Sequence, residues 1–204
     1  MLAAVAIGLR AFQVSILHFP SSPSLHDIDL SQILFAIVVV GLAGTLISKQ
    51  VYNSAPTTTK YSSFTGGFGI IVGAVGLAGL FIDKIPEIAT MALDGLASIF
   101  FLAGGIAWAV GLKGFSCDSN SRDDVTKMLD NDLLNRGKIE TGIGVTWGVF
   151  RDVDTSGEAF KLLEENCKKA FADEIFQFLA FALGLGLIGL GYVRMRKGGS
   201  TSYV

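Results

Sequence analysis

IATMALDGLASIFFLAGGIAWAVGL, residues Ile88 to Leu112, carries a single formal charge, Asp94, in 25 residues. At a rise of about 1.5 Å per residue it forms a helix long enough to cross a hydrocarbon core of about 30 Å. Lipid offers no hydrogen-bond partner to a backbone N–H or C=O, so such a run is a helix and not an open strand. Three further stretches share this character: ILFAIVVVGLAGTLIS (Ile33 to Ser48), SSFTGGFGIIVGAVGLAGLFI (Ser62 to Ile82) and IFQFLAFALGLGLIGLGYV (Ile175 to Val193). The first is slightly short for a span. The short alternating segments of a membrane barrel are missing. The expected fold is an all-α membrane protein, a four-transmembrane-helix bundle within residues 28–193, with spans at about 33–48, 62–82, 88–112 and 175–193.

Composition agrees. Half of the 204 residues are hydrophobic, 17% are charged and mean hydropathy is +0.54, whereas a soluble domain carries about a quarter charged residues. Between Ile33 and Leu112 the formal charges are Lys49, Lys60, Asp83, Lys84, Glu87 and Asp94, while 13 of the 18 acidic residues lie between Asp118 and Glu174. This asymmetry marks residues 113–174 as a long polar loop between the third and fourth helices. The net charge of −2 and the lack of a basic patch give nucleic acid nothing to bind. Membrane lipids are the expected partners.

Charge also orients the chain. The fourth span runs into RMRK, Arg194 to Lys197, which places a basic tail, residues 194–204, in the cytoplasm. An even number of spans puts the N-terminus on the same side, with the turn DKIPE (Asp83 to Glu87). The long loop is then extracytoplasmic. Lys113, Lys168 and Lys169 near its ends oppose this mildly, but long loops cross largely regardless of charge. Cys117 and Cys167, the chain's two cysteines, flank that loop. On an oxidising face they are candidates for a disulfide, against free thiols or, on a cytoplasmic loop, palmitoylation.

Within the spans, Gly69 and Gly73 form a GxxxG that Gly76 prolongs, and the third span carries Gly104. Small residues let helix backbones approach closely in lipid. Packing inside one bundle is the expected use, and a homo-oligomer through the same faces is the alternative. An intramembrane acid such as Asp94 invites a proton or ion pathway. Asp94 lies only about two turns into its helix, however, and the other expected spans hold no second acid or histidine. It is expected to reach the interface or to accept hydrogen bonds from a neighbouring helix. SGEAFKLLEENCKKAFADE, with Phe160, Leu162 and Leu163 beside Glu158, Glu164 and Glu165, reads as an amphipathic helix running into the fourth span. Nucleotide-loop, nucleophile-elbow and zinc-protease motifs are all missing, and the loop's acids lack calcium-ligand spacing. No catalytic, cofactor-binding or metal residue is assigned, and an enzyme is not expected.

LDGLASIFFLAGGIAWAVGLKGFSC, Leu93 to Cys117, resembles the third span of fungal MARVEL-domain proteins of the non-classical export protein family. Leu93, Asp94, Ala103, Gly104, Ser116 and Cys117 match that pattern, and NCKKAFADEIFQFLAF, Asn166 to Phe181, is similar to the stretch leading into its fourth span. The resemblance implies a four-helix, non-enzymatic organiser of plasma-membrane or vesicle membrane domains, active in membrane apposition, sorting or unconventional export. A small transporter or channel using Asp94 is the alternative.

The same resemblance makes the beginning of the chain unusual. In that family a Leu-Arg opens an unbroken first span. Here Leu9 and Arg10 stand apart from ILFAIVVVGLAG, separated by VSILHFPSSPSLHDIDLSQ, Val14 to Gln32. The codons for Val-Ser and Gln can form the ends of a fungal intron, so Val14 to Gln32 is read as a retained intron, or else as an added juxtamembrane loop with the span starting near Ile28. The preceding MLAAVAIGLRAFQ reads as a short apolar or interfacial helix, because its Arg10 follows the apolar run where a signal peptide has its charge first. Residues 1–27 thus form an N-terminal short helix and polar insertion, and no function is placed on His18 or His26.

Overall fold

A computed structural model describes residues 25–82, 86–117, 121–142 and 144–196. The N-terminal apolar stretch, the polar segment up to residue 24, the centre of the Asp83 to Glu87 turn and the tail beyond Arg196 lie outside them. Four long helices run up and down: α1 (Leu25–Ser48), α2 (Thr57–Phe81), α3 (Glu87–Gly111) and α5 (Ser156–Arg196). All four are long and apolar enough to cross a membrane. Contacts link α1 to α2, α2 to α3, α3 to α5 and α5 back to α1, so the helices close a ring around one interior.

Each helix is amphipathic in the sense lipid requires, with large apolar side chains outward. Ile71, Ile88, Ile99 and Val110 are all at least 60% exposed. The inward stripe of α1 is Asp29, Gln32, Phe35, Ala36, Val39, Ala43 and Leu46, a run with the helical period. It continues through two polar residues, so α1 starts at Leu25, eight residues before the expected Ile33, and its membrane-crossing part starts at Ile28. The last eight residues of the segment from Val14 to Gln32 are therefore the first two turns of α1. Pro56 and Pro86 stand at the N-caps of α2 and α3, where a missing N–H costs nothing.

The 41 residues of α5 make a rod about 60 Å long, twice the hydrocarbon thickness. Its tail-side half is the fourth span. Its loop-side half is the amphipathic segment from Ser156, continuous with the span. Against it folds a cap made of α4 (Arg122–Asp130), a hairpin of β1 (Lys138–Thr141) and β2 (Gly144–Trp147), and a 3-10 turn at Gly148–Phe150. The strands pair antiparallel, Lys138 opposite Trp147 and Thr141 opposite Gly144. Residues 113–155 thus contain elements of their own where a long polar loop was expected.

The cap is sealed from both ends. Trp108, Leu112, Met128, Leu134, Val149, Leu163 and Ala170 share one core with Leu46 of α1. Asn166 Nδ2 donates to the Leu134 carbonyl at 2.9 Å, so its amide is used inside. The α1–α2 connection is stitched to the same unit: Val51 and Tyr52 N–H donate to the Arg136 carbonyl, and Arg136 Nε donates to the Lys49 carbonyl at 2.6 Å. Gly137 makes this approach possible. Its φ is +88°, and a Cβ there would strike the Tyr52 carbonyl. Cys117 and Cys167 are joined as a disulfide, Cα atoms 5.6 Å apart, closing a 50-residue separation between α3 and α5.

Closing a loop of that length removes chain entropy from the opened cap worth about 4 kcal/mol. Replacing Cys117 and Cys167 by Ser is expected to make residues 118–155 protease-sensitive in lipid nanodiscs at temperatures where the four spans stay protected. Equal resistance with and without the cysteines would show that the bridge does not hold the cap.

Candidate functional site

The interior of the helix ring contains two polar layers separated by an apolar one. Phe35, Ala36, Val39, Val72, Ala97, Phe101 and Ala180 form the middle, with Phe35 edge-on to Phe176 across the α1–α5 contact. Helices are amphipathic here because side chains recur every 3.6 residues, and the same stripes that supply this core carry polar groups above and below it.

The loop-side layer joins α2, α3 and α5. Ser62 Oγ donates to Asp173 Oδ2 at 2.7 Å, and Gln177 Nε2 donates to Ser62 Oγ at 3.0 Å and to Asp173 Oδ1 at 3.3 Å. All three side chains are completely buried. Asp173 and Gln177 share a face because they are one turn apart on α5. Gly104 completes the layer: Gln177 Oε1 fills the space where a Gly104 Cβ would stand. That oxygen has no N–H or O–H donor among the described residues, and a backbone Cα–H is what a glycine offers it at such range. Tyr61 OH donates to the Phe100 carbonyl at 3.4 Å on the outer side of the α2–α3 contact.

The tail-side layer joins α1, α2, α3 and α5. Asp29 of α1 lies within electrostatic reach of Asp94 of α3, both side chains being buried. Asp29 Oδ1 is 3.0 Å from the position of a Gly76 Cβ, so Gly76 is the notch that admits it. Ser98 Oγ donates to the Asp94 carbonyl at 2.7 Å and occupies the space opened by Gly184 of α5. Gln32, one turn beyond Asp29, is also fully buried.

This arrangement corrects one expectation. Asp94 is not the sole acid among the helices, since Asp29 belongs to α1 and Asp173 to α5. Asp29 falls in the polar segment from Val14 to Gln32 and Asp173 in the amphipathic helix ahead of the fourth span. Both therefore lie outside the apolar runs that define the expected spans, and a count of apolar residues stops where the buried stripe need not. The signal that finds them is the inward stripe, which passes through Asp29 and Gln32 on α1 and through Asp173 and Gln177 on α5. The glycines singled out in α2 face neighbours in the same chain: Gly69 meets the Phe101 ring and Ala36, Gly73 meets Ile33, and Gly76 meets Asp29. Gly41, Gly44, Gly67, Gly186 and Gly189 have open space at their Cβ positions. Among the described residues no group of three His, Cys, Asp or Glu side chains is placed to hold a metal ion.

The family model for MARVEL, the membrane-associating domain, matches residues 28–190. The chain belongs to the MARVEL family. The matched region begins at the first residue of the α1 span and runs through the cap almost to the end of α5, so the MARVEL domain here comprises all four spans and the material between them. It is an integral, multi-pass membrane protein. Comparison with curated proteins and with solved structures finds no match.

Two glycine substitutions separate close packing from open surface. Gly104→Ala drives a methyl into the Gln177 carboxamide and is expected to cost about 1–3 kcal/mol, as overpacking does. Gly67→Ala meets open space and is expected to be neutral or slightly stabilising, since Ala is the better helix former. Thermal unfolding in detergent or nanodiscs checks both. Equal losses at the two positions would mean that the α3–α5 contact is not the one described.

Proposed function

We propose that this MARVEL protein is a non-enzymatic organiser of membrane domains, acting in membrane apposition, sorting or unconventional export at the plasma membrane or on secretory vesicles. The observation that carries the reading is the distribution of surface chemistry. Around the spans the outward side chains are apolar, while the polar groups are gathered inside the ring or in the cap. Such a surface acts through lipids: a hydrophobic belt of fixed length selects bilayers by thickness and composition. Membership of a membrane-associating family supports the same reading, and the resemblance of Leu93 to Cys117 to fungal non-classical export proteins suggests the branch.

The proposed orientation has both termini in the cytoplasm and the cap outside. Arg194, Arg196 and Lys197 support it through the bias of basic residues towards the cytoplasm, and a disulfide in the cap fits an oxidising compartment. Gly69, Gly73 and Gly76 of α2 are engaged within the chain, so a homo-oligomer uses other faces.

A second reading, a small transporter, draws on Asp29 standing opposite Asp94 within the ring, since facing acids mark ion paths in membrane proteins. The two separate cleanly. An organiser reconstituted in vesicles gives no proton or cation flux, and in cells it forms surface patches that disperse when sphingolipids are depleted. A flux abolished by Asp94→Asn, with a uniform surface distribution, would replace the first reading by the second.

A further inference from the structure

Asp173 lies at the loop-side end of the interior, a half-turn before the apolar run of α5 begins at Ile175. It is completely buried. The two donors that reach its carboxyl, the Ser62 hydroxyl and Gln177 Nε2, are both neutral. A carboxylate withdrawn from water without a cation is strongly disfavoured, and such a group takes up a proton instead.

The charged groups on the surrounding helices do not supply that cation. On α5, Lys169 is one turn towards the loop, but its Nζ lies 3.8 Å from Glu165 Oε2, and no ion pair joins it to Asp173. Glu174 follows on the adjacent, partly exposed face. Lys49, at the end of α1, adjoins Lys169. On α2 the neighbours of Ser62 are Lys60, which is exposed, and Tyr61, whose hydroxyl is engaged with α3. Between Asp94 and its end at Gly111, α3 carries no charged residue.

We propose that Asp173 is a proton-binding site: in the folded bundle it is a neutral carboxylic acid whose proton lies in the contact between Oδ2 and Ser62 Oγ. The carboxylate takes the proton from water on the loop side, forming one O–H bond and leaving hydroxide or water behind according to its source. One hydrogen fits between Oδ2 and Oγ at 2.7 Å. In the neutral state it is the acid's, donated by Oδ2–H to Ser62 Oγ while the hydroxyl's own hydrogen turns out of the contact. The added proton thus neutralises the carboxyl and keeps the α2–α5 contact intact. Loss of that proton leaves a bare charge facing the Ser62 hydroxyl and the Gln177 carboxamide. The site therefore ties the contact between two helices to proton occupancy at the foot of the cap, a property independent of membrane organisation.

Infrared spectra of the full chain in lipid nanodiscs near neutral pH test this. The wild-type minus Asp173→Asn difference is expected to contain the carbonyl stretch of a carboxylic acid, shifted in D2O. Asp173→Asn, an isostere of the neutral acid, is expected to melt with the wild type. Ser62→Ala, which removes the hydroxyl partner, is expected to move the same band. A difference spectrum showing loss of carboxylate stretches with no acid carbonyl would overturn the proposal, and so would an acid band that Ser62→Ala leaves unmoved. If Asp173→Asn does not fold, the Ser62→Ala comparison alone decides, by the presence or absence of the shifted band.

Discussion

Everything in this molecule follows from the fact that polar groups of a membrane helix have only other parts of the protein to turn to. The Ser62–Asp173–Gln177 contact, with the Gly104 notch beside it, is where that constraint is met most tightly. Four helices with apolar outer faces gain no hydrophobic energy from meeting one another in lipid. Their association needs close packing and hydrogen bonds. Glycines at 69, 73, 76 and 104 provide the first by admitting Phe101, Ile33, Asp29 and Gln177 respectively, and the two polar layers provide the second. The apolar middle layer then fills the remaining interior.

The cap depends on the same ring. Because α5 continues unbroken through the fourth span into the polar region, it offers one rigid rod to both. Leu163, Cys167 and Ala170 on its loop-side half complete the cap core, while Asp173, Gln177 and Ala180 further along complete the interior of the bundle. The disulfide to Cys117 then holds the end of α3 against that rod. Stitching of residues 51–53 to 136–138 ties the α1–α2 connection into the same unit. The structure thus couples the position of the cap to the helix contacts just below it.

Much of this was legible in the residues. Apolar length located α2 and α3 to within a few positions, because Pro56 and Pro86 set their starts close to the apolar runs. The amphipathic segment from Ser156 was readable as a helix because Phe160 and Leu163 recur at its period. The hidden part was polar. Asp29, Gln32, Asp173 and Gln177 belong to buried stripes, yet hydropathy leaves the first three outside the apolar runs and gives Gln177, inside the fourth, no partner. Seeing them as interior requires knowing which neighbour they meet, and no local pattern in α5 states that Ser62, 111 residues earlier, is the partner of Asp173. The hairpin of the cap was hidden for a related reason: its strands are four residues each and mostly exposed, so they show no inward stripe to detect.

A double-mutant cycle at Gly104 and Gln177 tests the central contact most directly. If the Gln177 carboxamide occupies the Gly104 notch, Gln177→Ala removes the group that an added methyl would strike. The cost of Gly104→Ala, about 1–3 kcal/mol in the wild-type background, should then largely vanish in the Gln177→Ala background, giving a coupling of about 1 kcal/mol or more. Additive losses, with Gly104→Ala costing the same in both backgrounds, would contradict the interior described here.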